Sequence, residues 1–393
     1  MVVRVIKNGI YAVGAIDWDR QLFDELIPLP QGTSYNSYLV EGTEKNALID
    51  TVDPSKTSEL LDNLDETGLK IDYIIANHAE QDHSGSIPAV LEKFPDAIVV
   101  TNPQCEKLLK SFFLFSDEKF KIVEDGESLS LGDKTLKFIF TPWVHWPDTM
   151  VTYVVEDEIL FSCDFFGSHL ASSELFGPED VSLLVPAKRY YAEIMMPFRP
   201  MILNNLKKIS DINIETIGPS HGPLISNPSE IIGLYSQWAS NETSNQVILP
   251  YVSMHGSTEI MVKYLIDALV KRGIEVKPFN LSHMELGEFL ISLVDASTLV
   301  MAAPTVLTKP HPSMAQIVYL VNVLRPKLKH GAIIGSFGWG TLMEEEIKQH
   351  LSNLNINYHE SVLIKGLPKE EDFKALDKLA DQILETMEFK SDN

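Results

Sequence analysis

The 393-residue chain predicts a two-domain α/β protein, an α/β sandwich followed by a doubly wound parallel sheet. Three observations carry that prediction. Its length suits two or three domains of about 100–200 residues each. Short apolar runs joined mostly by turn chemistry fill the first part, whereas strand and helix alternate strictly in the second. A polar run, Ser240-Asn241-Glu242-Thr243-Ser244-Asn245-Gln246, separates the two rhythms and places the domains at residues 1–245 and 246–393.

In the first part, strands are expected at Tyr35–Val40, Asn46–Ile49, Tyr73–Ala76, Ala97–Val100, Leu136–Phe140, Val151–Val155 and Ile159–Phe161. Apolar, β-branched and aromatic residues dominate these runs, and most of the links read as hairpins. Helical stretches such as Ser58–Thr67 and Ile87–Phe94 lie among them. In the second part the order is strand Val247–Val252, helix Glu259–Arg272 stopped by Gly273, then strands Ile274–Phe279 and Thr298–Ala302. Helix Met314–Leu328, strand Ala332–Phe337, helix Glu344–Leu354, strand His359–Leu363 and helix Glu371–Met387 complete it. Five apolar strands with intervening helices make a doubly wound parallel sheet.

Composition removes several functions. Thirty-two basic against 55 acidic residues leave a formal charge of −23, which repels phosphate backbones and anionic headgroups. Nucleic acid and membrane surfaces are therefore not expected as partners. Cys105 and Cys163 are too few for a disulfide framework, a four-cysteine zinc site or a fused rubredoxin module, and they suit a reducing compartment. No apolar run reaches membrane-spanning length, and the N-terminus lacks the pattern of a secretory signal. A cytoplasmic location is expected.

The run Ile71–Ala76 ends in Asn77-His78-Ala79-Glu80-Gln81-Asp82-His83-Ser84-Gly85. Four potential ligands within six residues follow a strand end, where a loop can turn them toward one place. His78 and Glu80, two apart, share a side in extended backbone, and Asp82 and His83 can turn toward a second metal. Further candidates are His145 in Thr141-Pro142-Trp143-Val144-His145-Trp146-Pro147-Asp148, Asp164 after an apolar run, and His221 in Gly218-Pro219-Ser220-His221-Gly222. A single histidine beside a strand is usually structural, and a lone aspartate can simply cap a turn. Burying the clustered groups without a cation is costly, so the cluster points to metal. Four imidazoles and three carboxylates suit two ions sharing one carboxylate, with iron, manganese or zinc as the metal.

After Val247–Val252 come Ser253-Met254-His255-Gly256-Ser257-Thr258 and a helix. Hydroxyls, backbone N–H groups and the helix dipole there suit a phosphate. A Walker lysine and a GxGxxG pattern are both missing, which weakens ATP and dinucleotide readings. Such turns on their own are more often plain helix caps. Two more loops follow strands, Pro304-Thr305-Val306-Leu307 after Ala303 and Ser336-Phe337-Gly338-Trp339-Gly340. Ligands bind at the carboxyl ends of such sheets, so the three loops together argue for one cofactor site.

The His-x-Glu-x-Asp-His cluster with His145, Asp164 and His221 resembles the diiron site of flavodiiron proteins (A-type flavoproteins), and the three loops resemble the FMN site of flavodoxins. The resemblance implies a metallo-β-lactamase-like αββα sandwich followed by a flavodoxin-like sheet. It implies that His78, Glu80 and His145 hold one iron, that Asp82, His83 and His221 hold the other, and that Asp164 bridges them. In some members the histidine at the His83 position turns away. Hydrolases of the same scaffold usually carry a histidine where this chain has Glu80, and a carboxylate favours iron. FMN is implied at the loops, with Trp339 or Phe337 flanking the ring.

The implied activity is four-electron reduction of O₂ to water, two electrons coming from the irons and two from FMN. Nitric oxide reduction to N₂O is the related alternative, and a dinuclear-metal hydrolase or a non-catalytic FMN carrier are the rivals. The family also implies a head-to-tail homodimer or a homotetramer built from it. The donor is a separate rubredoxin or reduced coenzyme F420. The stretch from Phe161 to Leu170 resembles the F420H2 oxidase branch of methanogens. Lys309, His311, Lys327 and Lys329 are candidates for a basic rim that receives an anionic donor. Trp146 and Tyr191 are candidate pocket residues, although core packing is the commoner role of such side chains. Relatives often carry a pocket histidine in a Phe-His-Gly stretch where this chain has Phe23-Asp24-Glu25.

Overall fold

The computed structural model describes residues 3–177 and 181–387. The chain divides into two compact units: residues up to Tyr191 with Phe198–Ser240, and Asn241 onward with Ala192–Pro197.

The first unit contains two sheets. A seven-stranded sheet runs Arg4–Lys7, Ile10–Ala12, Tyr38–Glu41, Asn46–Ile49, Tyr73–Ile75, Ile98–Thr101, Phe120–Ile122. Its first four strands are antiparallel, and from Asn46–Ile49 onward the pairing is parallel. The hairpin expectation therefore holds for only part of this sheet, because helices such as Thr57–Thr67 and Ile87–Lys93 carry the chain back between the parallel strands. A five-stranded sheet runs Ser128–Ser130, Thr135–Phe140, Met150–Val154, Ile159–Cys163, Thr216–Pro219, antiparallel except for its last pair.

Strand periodicity explains the layering. Leu39, Leu48, Ile74 and Val99 pack with the helical residues Leu60, Leu64, Val90 and Leu109. Their neighbours Tyr38, Val40, Ile49, Ile75 and Val100 pack instead with Phe138, Met150, Val154 and Phe161 of the other sheet. Alternate residues thus bury against helices on one face and against a second sheet on the other. The expected strand Tyr35–Val40 is broken. Thr33–Tyr35 pairs with Ala15–Asp17, and only Tyr38–Glu41 joins the large sheet.

In the second unit the parallel order is Glu275–Asn280, Ser244–Tyr251, Ala296–Val306, His330–Phe337, with Val362–Lys365 beside the last. Val247 and Leu249 pack with Leu265, Leu269, Leu376 and Ile383 of the helices Ser257–Lys271 and Glu370–Glu385. The alternating Ile248, Leu299 and Ile333 are equally buried, so both faces are covered, as a parallel sheet requires. The polar run after Ser240 is partly strand, since Ser244 to Gln246 already belong to Ser244–Tyr251. The helix expected to reach Leu328 stops at Leu324. Arg325 adopts the left-handed region and Pro326 cannot continue a helix. The last strand begins at Val362, so His359 lies outside it.

Candidate metal centre and cofactor cavity

Four stretches of the first unit bring the candidate ligand side chains together. The strand Tyr73–Ile75 leads into Asn77, whose backbone N–H and side-chain amide each donate to the buried Asp50 carboxylate at 2.8 Å. The Thr152 hydroxyl donates to the Asn77 side-chain oxygen at 2.7 Å. This anchoring sets the direction of His78 one residue on. The short helix Gln81–Ser84 presents Asp82 and His83, and Thr51 holds it by donating its backbone N–H and its hydroxyl to the His83 carbonyl. His145 lies in the loop after Thr135–Phe140, and Asp164 follows the end of Ile159–Cys163. His221 stands in a tight turn. The following Gly222 has φ +85°, and a Cβ there would run into Ser168.

Asp164 lies at the centre. Its Oδ2 is 3.4 Å from His145 Nε2 and 3.7 Å from His78 Nε2, while its Oδ1 is 3.1 Å from His83 Nε2 and 3.4 Å from His221 Nε2. Glu80 Oε2 stands 3.2 Å from His78 Nε2 and 3.1 Å from His145 Nε2. Asp82 lies 3.3 Å from His83 Nε2 and 3.2 Å from His221 Nε2. Two groups of converging ligand atoms result, His78, Glu80, His145 with Asp164, and Asp82 with His83 and His221. His83 faces inward, and Cys163 also lies near it and Asp164.

The donor set fits cations. Both Asp82 oxygens, Asp164 Oδ2 and His83 Nε2 are buried without a directed hydrogen bond. Such orphaned groups are costly unless a positive ion takes their lone pairs. The second contacts agree. Asp148 Oδ2 lies 3.1 Å from His78 Nδ1 and accepts the Ala79 N–H at 2.8 Å. His221 Nδ1 donates to the Ser34 carbonyl at 2.8 Å. With the proton on each Nδ1, the Nε2 lone pair turns to the cluster.

Without metal, protons take the place of cations. Burial alone would lower the imidazoles. The neighbouring Asp164 and Glu80 carboxylates nevertheless push His145 up to about 9, and Asp164 and Asp82 push His221 up to about 10. Burial would raise Asp164, yet the imidazoles of His83, His145 and His221 around it hold it well below the carboxylate range.

The cluster opens on a cavity of about 320 Å³ lined by Glu80 and Asp82 together with Phe23, Asp24, Tyr35, Phe112 and Trp146, among others. Trp146 also meets His78 edge-on at 5.0 Å. Tyr191, expected in this pocket, is not among its lining residues. It packs against Tyr235 and Trp238, and its neighbour Tyr190 donates its phenol to Asp164 Oδ1 at 2.9 Å. One residue of helix rotation, about 100°, separates the two directions. The sequence reading also missed Asp148, Ser34 and Tyr190. Asp148 had a signal, since it sits three residues after His145 in the same turn.

In the second unit a cavity of about 390 Å³ lies at the carboxyl ends of the strands. Ser253, Met254, His255, Ser257, Thr258, Pro304, Thr305, Val306, Leu307, Ser336, Phe337, Gly338 and Trp339 line it. Gly256 and Gly340 do not. Gly256 instead caps the helix with φ +89°. Ser253 accepts from the Gly256 and Glu259 N–H groups, and Thr258 pairs with Ser336 at 3.0 Å. Gly366, unforeseen, joins the lining just past the strand Val362–Lys365. Two members of the expected basic rim, Lys327 and Lys329, are corrected. Lys327 and Lys329 precede His330–Phe337, whereas the lining loop follows it, roughly 25 Å along the strand. Lys327 is buried beside Asp295, Lys309 pairs with Glu346, and His311 caps a helix.

A metallo-β-lactamase-like unit bearing a carboxylate-rich dinuclear ligand set, joined to a flavodoxin-like unit with an open cavity, defines a class of two-centre oxidoreductases. Comparison with known proteins agrees. The family model described as ODP family beta lactamase matches residues 33–222. A nitric oxide reductase of Moorella thermoacetica is 36% identical over 96% of this chain and 97% of its own. A coenzyme F420H2 oxidase of Methanothermobacter marburgensis is 34% identical over 85% and 86%. The solved rubredoxin oxygen:oxidoreductase of Desulfovibrio gigas superposes with a TM-score of 0.93 at 30% identity, covering 98% of both chains. The chain belongs to the flavodiiron protein family, whose members are oxidoreductases carrying FMN and a diiron site. No described helix is long and apolar enough to cross a membrane.

Proposed function

We propose that this flavodiiron oxidoreductase reduces O₂ to water with electrons from reduced coenzyme F420, passed through FMN to a diiron site. The observation that carries the diiron part of the proposal is Asp164, whose two oxygens each face a separate ligand group. His78, Glu80 and His145 would hold one iron and Asp82, His83 and His221 the other, with Asp164 available to both. When bound, the irons and the flavin supply the four electrons and the Lewis acidity.

The protein supplies orientation. Asp148 and the Ser34 carbonyl fix the two imidazole tautomers, so the ligand atoms need no reorganisation on loading. Phe23, Tyr35, Phe112 and Trp146 wall one part of the adjoining cavity and Arg20, Asp24 and Asp53 another, and the space admits a diatomic molecule. In the second unit, the strand-end loops and the start of Ser257–Lys271 suit the FMN phosphate, and the exposed Trp339 lies where it can flank the ring.

Large apolar side chains are exposed in both units, among them Trp18, Leu26 and Leu114 in the first and Met254 and Leu307, which line the cavity, in the second. They support a head-to-tail homodimer, itself paired into a homotetramer, in which one copy's flavin serves another's irons. Light scattering in solution tests this, and a monomer at all concentrations rules it out.

Nitric oxide reduction to N₂O is the second reading, favoured by the relative named for that activity. Rubredoxin is the second donor, after the structural neighbour that carries its name. Anaerobic assays of the iron- and FMN-loaded protein with O₂ or NO, each with F420H2 or reduced rubredoxin, separate the four combinations. Faster turnover with O₂ and F420H2 is expected. Faster NO turnover, or reduction by rubredoxin alone, replaces the proposal.

A further inference from the structure

The cavity of the second unit meets an electrostatic demand at one place only. FMN ends in a phosphate monoester, which loses its second proton near pH 6 and is mostly doubly charged above neutrality. The chain that must receive it already carries a formal charge of −23. Among the described residues that line the cavity, His255 is the single side chain able to carry a positive charge. The others are hydroxyl-bearing, apolar or aromatic, or glycine. Most of the hydroxyls are already engaged. Ser253 accepts the Gly256 and Glu259 N–H groups at 3.2 and 3.3 Å, Thr258 pairs with Ser336 at 3.0 Å, and Thr305 pairs with Thr341 at 2.8 Å. His255 has no hydrogen bond or ion pair among the described residues, and it is exposed in the turn between Ser244–Tyr251 and Ser257–Lys271. Charged groups on the surrounding elements are taken up elsewhere. Glu259 pairs with Lys263 on the helix that follows, Glu285 caps Leu286–Leu293 beyond the neighbouring strand Glu275–Asn280, and Lys309 pairs with Glu346. His283 and Lys365, each near a strand end, do not line the cavity.

We propose that His255, as an imidazolium, is the charged contact for the FMN phosphate, so that the cavity selects FMN over riboflavin and takes up a proton along with it. The inference rests on the reading that this cavity holds FMN. Imidazole is the side chain that changes charge between about pH 5 and 8. A phosphate dianion set against it favours the charged form, so binding draws a proton from solvent onto the ring. By linkage, FMN affinity then falls as pH rises above neutrality, because each binding event must supply that proton from a scarcer pool. Riboflavin has no phosphate and gains nothing from the charge. The hydroxyls and backbone N–H groups of the loops hold either flavin without regard to pH in this range, and the His255 pair adds to them about tenfold in affinity.

The test uses the full chain, freed of flavin and titrated with FMN or with riboflavin, the affinity being read from quenching of flavin fluorescence. From about pH 6.5 to about 8.5, FMN affinity should fall roughly tenfold while riboflavin affinity stays level. Calorimetry in two buffers of unlike ionisation enthalpy should report net proton uptake with FMN and none with riboflavin. His255→Gln should weaken FMN roughly tenfold at the lower pH, leave riboflavin unchanged and abolish the proton uptake. His255→Lys should restore FMN affinity and hold it level across the range. A level FMN profile in the unaltered chain overturns the inference, and so does a pH dependence that survives His255→Gln. Equal loss of FMN and riboflavin in that variant marks a packing role and overturns it too. FMN that fails to bind the unaltered chain at all removes the cofactor reading of the cavity, whereas tight FMN binding indifferent to His255 removes this inference alone.

Discussion

The two units build their sites in opposite ways. In the first, side chains from four stretches of chain converge on one carboxylate, and His78 and His221 are held from behind by Asp148 and the Ser34 carbonyl. In the second, loops at the ends of one parallel sheet make a cavity lined by small hydroxyl side chains together with apolar and aromatic ones such as Met254, Leu307, Phe337 and Trp339. A site of convergent charged side chains loses its function when one member is removed, because the others remain buried and uncompensated. A loop-built cavity spreads recognition over many weak contacts and loses it gradually.

The sharpest way to break that contrast is Asp164→Ala. It strips the shared carboxylate and leaves four imidazoles facing one another. Both metals and all turnover should be lost while FMN stays bound, as elemental analysis and the flavin spectrum will report. A variant that keeps two irons contradicts the bridging role. Next comes Asp148→Asn, which leaves every ligand in place but weakens the hold on His78 Nδ1. Metal affinity should fall roughly 10–100-fold, measured by competition with a chelator. An unchanged affinity means His78 is oriented by something else.

The third prediction concerns pH. In metal-stripped protein, His145 and His221 sit above the ordinary imidazole value, near 9 and 10. A raised imidazole contributes stability in full below its unfolded pKa and loses it as pH rises through the folded one. The unfolding temperature of the stripped protein should therefore fall as pH rises past neutrality toward 10, while the loaded protein, whose ligand protons are displaced, stays flat. A flat profile for the stripped protein refutes this. The smallest effect is expected at the other site. Thr258→Val removes the hydroxyl paired with Ser336 and should cost ~0.5–1.5 kcal/mol of FMN affinity, at most about tenfold in Kd by flavin titration. Loss of flavin altogether would mean that this cavity, too, depends on single groups.

Much of this organisation was legible before any coordinates. The ligand-rich stretch after Ala76 follows a strand end, and His221 is followed by a glycine whose positive φ the turn requires. The loops after Val247–Val252, Thr298–Ala302 and Ala332–Phe337 were placed by strict strand–helix alternation, a short-range signal. What failed did so for geometric reasons. Tyr191 was chosen where Tyr190 reaches Asp164, because composition does not tell which face of a helix end meets a neighbour. Lys327 and Lys329 were grouped with loops that lie at the other end of their strand, since nearness in sequence across an eight-residue strand is not nearness in space. Gly366 was overlooked because its strand begins three residues later than expected.

The chain's sequence alone determined the alternation of elements, the residue types able to bind metal, and the strand ends where cofactor loops can form, because these depend on local periodicity and turn chemistry. Only the tertiary structure decided that Asp164 stands between two ligand groups, that Asp148 and the Ser34 carbonyl fix the tautomers, and that Tyr190 rather than Tyr191 touches the centre. Those facts depend on how segments from 26 to 187 residues apart pack together, and no local pattern encodes that register.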